Sequence, residues 1–288
     1  MAAEWKARML IMPFAFPGRV LHGLCGTAGQ LRASGWIDHH RRLPGIDGTM
    51  LDVYVVGSRI ETGPRDGKKP TPSARGTVVF FHGLWASKAW WLRLSGKLAR
   101  CGWDCVLIDL RAHGRSEGQY TTWGAKEKHD ARVVVDALLN EGLIGPRILA
   151  VGSSMGAAAA IQYAAVDARC NGVLAFAPPK SCREITRRIL LMDSEKTYRQ
   201  ALERASELAA FDPDDASAEA AAGKLTCPLY LVHGLLDVVV PYQHSQAIQA
   251  AASGPAKLFT CHFAGHGPET GRVNKSAEWI DGLDAQTR

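Results

Sequence analysis

The sequence predicts an α/β fold built on a mostly parallel sheet with helices on both faces. Three observations predict it. From residue 50 onward, short apolar runs alternate with segments of helical character, the order expected of repeated strand–helix units. The runs are almost continuously apolar, which marks strands buried on both faces. Finally, Gly152-Ser153-Ser154-Met155-Gly156 joins an apolar run to an alanine-rich helical run, where the chain must turn sharply from strand to helix. At 288 residues the chain can form one large domain, or a domain carrying an insertion.

The elements follow in order. Residues 1–47 read as an N-terminal extension partly packed on the core. Lys6 and Arg8 precede Met9-Leu10-Ile11-Met12-Pro13-Phe14-Ala15-Phe16, a weak signal-like stretch that is short and broken by Pro13 and Pro17. An amphipathic contact with a membrane surface or a partner stays open for it. No run reaches the roughly 18 apolar residues of a spanning helix. Met50–Val56 reads as a strand, and residues 57–75, rich in Gly, Pro, Lys and Arg, as an exposed loop. Val78–Phe81 is a buried strand, Lys88–Arg100 a helix, and Cys105–Leu110 a strand with Asp109 at its end. A helix over Lys126–Asn140, a strand over Ile148–Val151 and the helix from Ala157 lead to the strand Val173–Phe176.

Residues 180–224 break this rhythm. They show partial helical periodicity and no convincing strand, and they read as a small helical cap inserted into a core formed by 48–179 and 225–288. The alternation resumes with strands at Leu229–Val232 and Leu258–Cys261 and helices at His244–Ala251 and Asn274–Leu283.

Composition narrows the function. The formal charge of +6 is mild for this length, and no Lys/Arg run is joined to spaced aromatics, so nucleic acid is not an expected partner. Arg41-Arg42 and Lys68-Lys69 read as solvated surface pairs. The seven cysteines are odd in number and include no C-x-x-C, which fits free thiols and a cytoplasmic, reducing location. No zinc-ligand spacing occurs, and the chemistry below requires no cofactor or metal.

The chemistry-bearing residues lie at strand ends. Gly152 and Gly156 flank Ser154 as a nucleophile elbow requires: two positions without a Cβ beside a crowded turn. Val79-Phe80-Phe81-His82-Gly83-Leu84-Trp85 runs a strand into a tight turn, from which the N–H of Leu84 can point at the elbow. The N–H of Met155 is the second candidate donor of an oxyanion hole. His82 and His233, each followed by glycine, read as structural. Asp237 leaves the Leu229–Val232 strand, and His266 sits in the glycine-flanked loop before the last helix. The order Ser154, Asp237, His266 is that of a nucleophile, an acid and a base on such a sheet, all at one edge. His262 competes as base, although its strand-end place favours a packed or supporting role. Glu269 is a weaker rival to Asp237.

These motifs resemble the α/β-hydrolase family, and within it the serine aminopeptidase-like or monoacylglycerol-lipase-like branch. The resemblance spans about residues 48–285. It rests on Phe81-His82-Gly83, on Asp109-Leu110-Arg111-Ala112-His113-Gly114-Arg115-Ser116-Glu117-Gly118, on Gly152–Gly156, on His233-Gly234-Leu235-Leu236-Asp237 with Val240-Pro241, and on Gly265-His266-Gly267. It implies the α/β-hydrolase fold with an eight-stranded sheet, Ser154 as nucleophile, Asp237 as acid, His266 as base, and oxyanion N–H groups at Leu84 and Met155. Ala112 stands where the family's D-x-R-G-H-G-x-S form usually has glycine. Asp109 and Arg111 are expected to brace that loop, with Ser116 bonding locally.

The implied activity is cleavage of a carboxylic ester, small or short in its acyl part, through an acyl-enzyme. A peptidase, amidase or thioesterase on the same triad is the alternative, and a non-catalytic binding scaffold a third reading. Trp85, Trp90 and Trp91 are candidates either for an acyl pocket or for helix packing. The cap's mixture of Glu184, Asp193, Glu195, Arg183, Arg187 and Lys196 reads more simply as solvated surface than as a site for a charged substrate. The oligomeric state is not legible.

Overall fold

The structure, a computed structural model, describes residues 2–12, 28–60, 75–189, 194–267 and 272–287. Eight strands form one sheet: β1 His39–Pro44, β2 Met50–Val56, β3 Gly76–Phe81, β4 Trp103–Ile108, β5 Ile148–Ser153, β6 Cys170–Phe176, β7 Leu229–Gly234 and β8 Ala256–Cys261. Their spatial order is β1-β2-β4-β3-β5-β6-β7-β8. Only the β1–β2 and β2–β4 pairs are antiparallel.

Between the strands run α1 Ala2–Ile11, α2 Ala28–Ala33, α3 Leu92–Arg100, α4 Glu127–Asn140, α5 Met155–Ala164, α6 Cys182–Ile189, α7 Glu195–Ala209, α8 Ala218–Ala222, α9 Gln243–Ala251 and α10 Val273–Gln286. The segment expected as one helix over Lys88–Arg100 divides into a 3₁₀ turn, Lys88–Trp91, followed by α3.

Each central strand buries both faces, and the alternation of side chains sorts them into two layers. Val79, Phe81, Val106, Ile108 and Ala150 join α4 and α5 on one side. Val78, Phe80, Cys105, Leu107, Leu149 and Val151 join α3 and α10 on the other. The chain crosses from β3 to β4 on one side and returns to β5 on the other. The C-terminal ends of β3 and β5 therefore feed loops that part in opposite directions, opening a crevice at that edge.

Two features correct the expected organisation. The N-terminal extension is not merely packed on the core: it supplies β1, so a boundary at 47/48 falls in the turn joining β1 to β2. Within 180–224, α6 and α7 form a helical layer, but α8 packs on α5 and α9 and belongs with the helices covering the sheet.

Helix α1 packs on α7, where Glu4 pairs with Arg204 at 2.7 Å. Ala7, Leu10 and Ile11 enter the core. The carbonyls of Leu10 and Ile11 accept from Trp123 Nε1 at 2.9 Å and Thr121 N–H at 2.8 Å, which satisfies groups a helix C-terminus leaves open. The signal-like stretch thus begins inside a docked helix; its residues 13–16, like Lys68-Lys69, Asp193 and Glu269, lie outside the described residues. Among the described residues no helix is long and apolar enough to cross a membrane.

Candidate active site

The turn after β5 carries the strain an elbow demands. Ser154 has φ 54° and ψ −123°, a conformation side-chain-bearing residues adopt only where their surroundings hold them. Its N–H donates to Phe176 O at 2.8 Å, tying the turn to β6. A Cβ on Gly152 would sit under 3.0 Å from the backbone of Gly156, and one on Gly156 under 3.0 Å from the carbonyls of Phe81 and His82. Both glycines are therefore demanded by backbone contact.

Ser154 Oγ lies 3.0 Å from His266 Nε2, and His266 Nδ1 lies 2.8 Å from Asp237 Oδ2. The structure thus brings together the three residues that the sequence nominated. Their loops are stitched by backbone bonds: Leu235 N–H donates to Cys261 O at 3.1 Å and Leu236 N–H to Ala264 O at 3.0 Å. Gly234 makes this approach feasible, since a Cβ there would collide with the carbonyls of Ala264 and Gly265.

Asp237 Oδ1 accepts from the N–H groups of Val239 and Val240, both at 2.9 Å. Its Oδ2 also faces His233 Nε2 at 3.3 Å. Burial opposes the charge of Asp237, but the bonds from His233, His266 and Val240 prevail and hold its carboxyl well below the usual range. His233 is locked by Ser245 Oγ at 2.6 Å and Val240 O at 2.9 Å, in keeping with a structural role.

The loop after β3 abuts the elbow, with Gly83 so close that a Cβ would meet Ser154 Cβ at 3.5 Å. The N–H groups of Leu84 and Met155 have no protein acceptor among the described residues, which leaves both free for a ligand. His82 fastens this loop from beneath: Nδ1 donates to Gly83 O at 2.8 Å and Nε2 accepts from Leu110 N–H at 3.0 Å. Burial, with His113 alongside, pushes the His82 pKa down to about 3, unsuited to proton transfer near neutrality.

His262, expected to be packed or supporting, is exposed. The turn Cys261-His262-Phe263 leaves the edge strand β8, whose outer side no further strand covers among the described residues, so its side chains meet solvent. Trp85 and Trp90 lie at the surface, 45% and 40% exposed, whereas Trp91 is core, against Phe80 and Phe176. Of the charges named in the cap, Arg183 pairs with Asp214 and Arg187 with Glu195.

In the Asp109–Gly118 loop, Arg111 makes a two-pronged bond to Asp130, both contacts 2.8 Å, and also reaches Asp47. Ser116 bonds locally, donating to Asp109 O at 2.6 Å within the loop, and also accepts from Asp52 N–H of β2 at 2.8 Å. Ala112 adopts φ 64° in the place of the usual glycine.

Sequence reasoning missed the buried charge beneath this site. Lys88 Nζ is fully buried between Asp109 Oδ2 at 2.5 Å and Asp52 Oδ1 at 2.6 Å. Glu127 is equally buried and accepts from Thr121, Thr122 and Gly124. A lone Lys before Ala-Trp-Trp, and a lone Glu after Thr-Thr-Trp-Gly, were the available signals. Among the described residues no cluster of His, Cys, Asp and Glu could hold a metal ion.

Residues 78–193 match the model of the alpha/beta hydrolase family. The uncharacterized protein YqkD of Bacillus subtilis (strain 168) is 35% identical over 99 residues, which cover 33% of this chain and 30% of that protein. The chain therefore spans less than a third of that relative. Among solved structures, the esterase Pf2001 of Pyrococcus furiosus superposes with a TM-score of 0.65 at 20% identity, covering 88% of this chain and 93% of that one. An acetyl xylan esterase from Paenibacillus sp. R4 gives a TM-score of 0.64 at 17% identity, covering 84% and 83%. The fold is the α/β-hydrolase fold.

Proposed function

We propose that this protein is a serine hydrolase that cleaves carboxylic esters, with Ser154 as nucleophile, His266 as base and Asp237 as orienting acid. The observation that carries the reading is the continuous relay from Ser154 Oγ through His266 to Asp237, with contacts of 3.0 and 2.8 Å, beside two N–H groups free of protein acceptors. In this reading the Asp237 carboxylate accepts a hydrogen bond from the Nδ1–H of His266, which leaves Nε2 as the acceptor for the Ser154 hydroxyl proton.

Attack by Oγ on a carbonyl moves charge onto its oxygen, where the N–H groups of Leu84 and Met155 receive it. His266 then passes its proton to the leaving alcohol, and the acyl group stays on Ser154. Water activated by His266 releases the acid. The motif set resembles the serine aminopeptidase-like or monoacylglycerol-lipase-like branch, and a small or short acyl group is the proposed substrate class. The free thiols of the six described cysteines accord with a reducing, cytoplasmic setting.

The test is labelling with a fluorophosphonate. Ser154 should be modified in the wild type and label should be lost in Ser154→Ala; a folded wild type that resists the probe refutes the reading. A series of p-nitrophenyl esters beside aminoacyl anilides then tests the ester class: kcat/KM should fall as the acyl chain lengthens, and the anilides should be poor substrates.

A further inference from the structure

We propose that Lys88 is a positioning residue for the oxyanion donor, its buried ammonium clamping the Leu84-bearing loop to the end of β4. The inference rests on the serine-hydrolase reading above and concerns how residues 82–88 keep the geometry that chemistry needs.

The loop is anchored at both ends, and both anchors converge on one dipeptide. At its start, the His82 ring bridges Gly83 O and Leu110 N–H. At its end, Lys88 binds Asp109 twice, through its backbone N–H to Oδ1 at 2.7 Å and through Nζ to Oδ2. Asp109-Leu110 therefore holds the loop by both ends. Between the anchors, Trp85 sits at φ 64°, a left-handed conformation that an aromatic residue keeps only under constraint.

The clamp is built from charge. Lys88 and Asp109 are completely buried, Asp52 supplies the second carboxylate, and the ammonium lies 4.2 Å from the centre of the Tyr54 ring. His40 Nε2 braces the far oxygen of Asp52 at 2.8 Å, and Arg115 N–H adds a bond to Asp109 Oδ2 at 2.9 Å. An apolar side chain at position 88 would fill the same space without such a directional hold. Burying an ammonium is expensive, and replacing buried ion pairs by apolar groups is often neutral or stabilising. Fold stability alone therefore does not account for a lysine here, whereas fixing a strained loop against one aspartate does.

The experiment uses the full chain. Lys88→Met should lower kcat for a p-nitrophenyl ester, per fluorophosphonate-titrated site, by about 10- to 100-fold, the penalty for a donor displaced by about 1 Å, while KM changes less than about twofold. Hydrogen exchange should quicken in peptides covering 82–92 and stay unchanged in β5 and β6. If Lys88→Met does not fold, Asp52→Asn/Lys88→Met/Asp109→Asn, which buries no unpaired charge, takes its place with the same expectations. Per-site kcat within about twofold of wild type overturns the proposal, whether or not the loop loosens, because a merely structural lysine changes the amount of folded enzyme and not its turnover. An unlabelled wild type without esterase activity overturns the serine-hydrolase reading alone, and the exchange measurement, which needs no substrate, still decides the anchor.

Discussion

Replacing Asp237 with Asn keeps the size of the side chain and exchanges one acceptor for a donor. The structure decides where that donor goes. The Oδ1 position receives two backbone N–H groups, from Val239 and Val240, and neither can turn away. The Oδ2 position faces His266 Nδ1 at 2.8 Å, an imidazole that can move its proton to the other nitrogen, and more distantly His233 Nε2 at 3.3 Å, whose shorter contact of 2.9 Å is to Val240 O. An amide nitrogen at Oδ1 would lose two hydrogen bonds and oppose two fixed donors, so the amide settles with its nitrogen toward His266. His266 then accepts at Nδ1 and carries its proton on Nε2, the atom 3.0 Å from Ser154 Oγ, where it can no longer receive the hydroxyl proton. On the proposed serine-hydrolase reading, a base locked in the wrong tautomer costs about 10⁴-fold in kcat, or about 5.4 kcal/mol, with KM nearly unchanged. The assay is steady-state hydrolysis of a short p-nitrophenyl ester normalised to folded protein. A variant that keeps more than about a tenth of wild-type kcat would refute the tautomer argument, as would a crystal structure of Asp237→Asn with the amide nitrogen against Val239 and Val240.

Acid should destabilise the protein well above the usual carboxylate range. Burial lowers the pKa of His82 to about 3, of His244 to about 4, and also that of His113, so between those values and about 6.5 the unfolded chain binds more protons than the folded one. Their contribution is complete above about pH 6.5 and falls with acidification by up to about 1.4 kcal/mol per pH unit for each group; Asp237, depressed in the same sense, adds a more acidic limb. A urea midpoint that stays flat from pH 7 to 5 contradicts this. Ala112→Gly should raise stability by up to about 1 kcal/mol, since relief of the left-handed strain outweighs the extra freedom of glycine in the unfolded chain; an unchanged or lower melting temperature argues against strain at that residue. Trp91→Ala should cost about 3–5 kcal/mol as a core deletion, read from denaturant unfolding, whereas Trp85→Ala should change stability by less than about 0.5 kcal/mol. If Trp85→Ala leaves KM unchanged across a series of acyl lengths, Trp85 does not contact the acyl group.

What was legible in the sequence is what is decided locally or by order. The elbow announces itself because two glycines answer a backbone collision within five residues, and Ser154, Asp237 and His266 each follow a strand readable from its own apolar run. The strand β1 was hidden for the opposite reason. It is an edge strand, His39-His40-Arg41-Arg42-Leu43-Pro44, with only Leu43 buried, and exposed edges carry charge that erases the apolar signature. Lys88 was hidden because its surroundings are non-local: Asp52 and Asp109 arrive from β2 and the end of β4, and a lone lysine opening a helical run looks like solvated surface. The packing of α8 on α5 and α9 was equally illegible, since an alanine-rich turn of helix states that it can be covered but not by what.

The docking of α1 has a consequence for how the chain is made. Its partner Arg204 lies 200 residues downstream of Glu4, and Trp123, which closes its last turn, lies 113 residues beyond Leu10. At a synthesis rate of about 5–20 residues per second, roughly 10–40 s separate the emergence of α1 from that of α7. Through that interval Ala7, Leu10 and Ile11 have no partner on α7, and a chaperone has time to hold them. A helix translated early thus completes its contacts only after α7 has emerged, and its docking joins α7 to the loop that leads into α4.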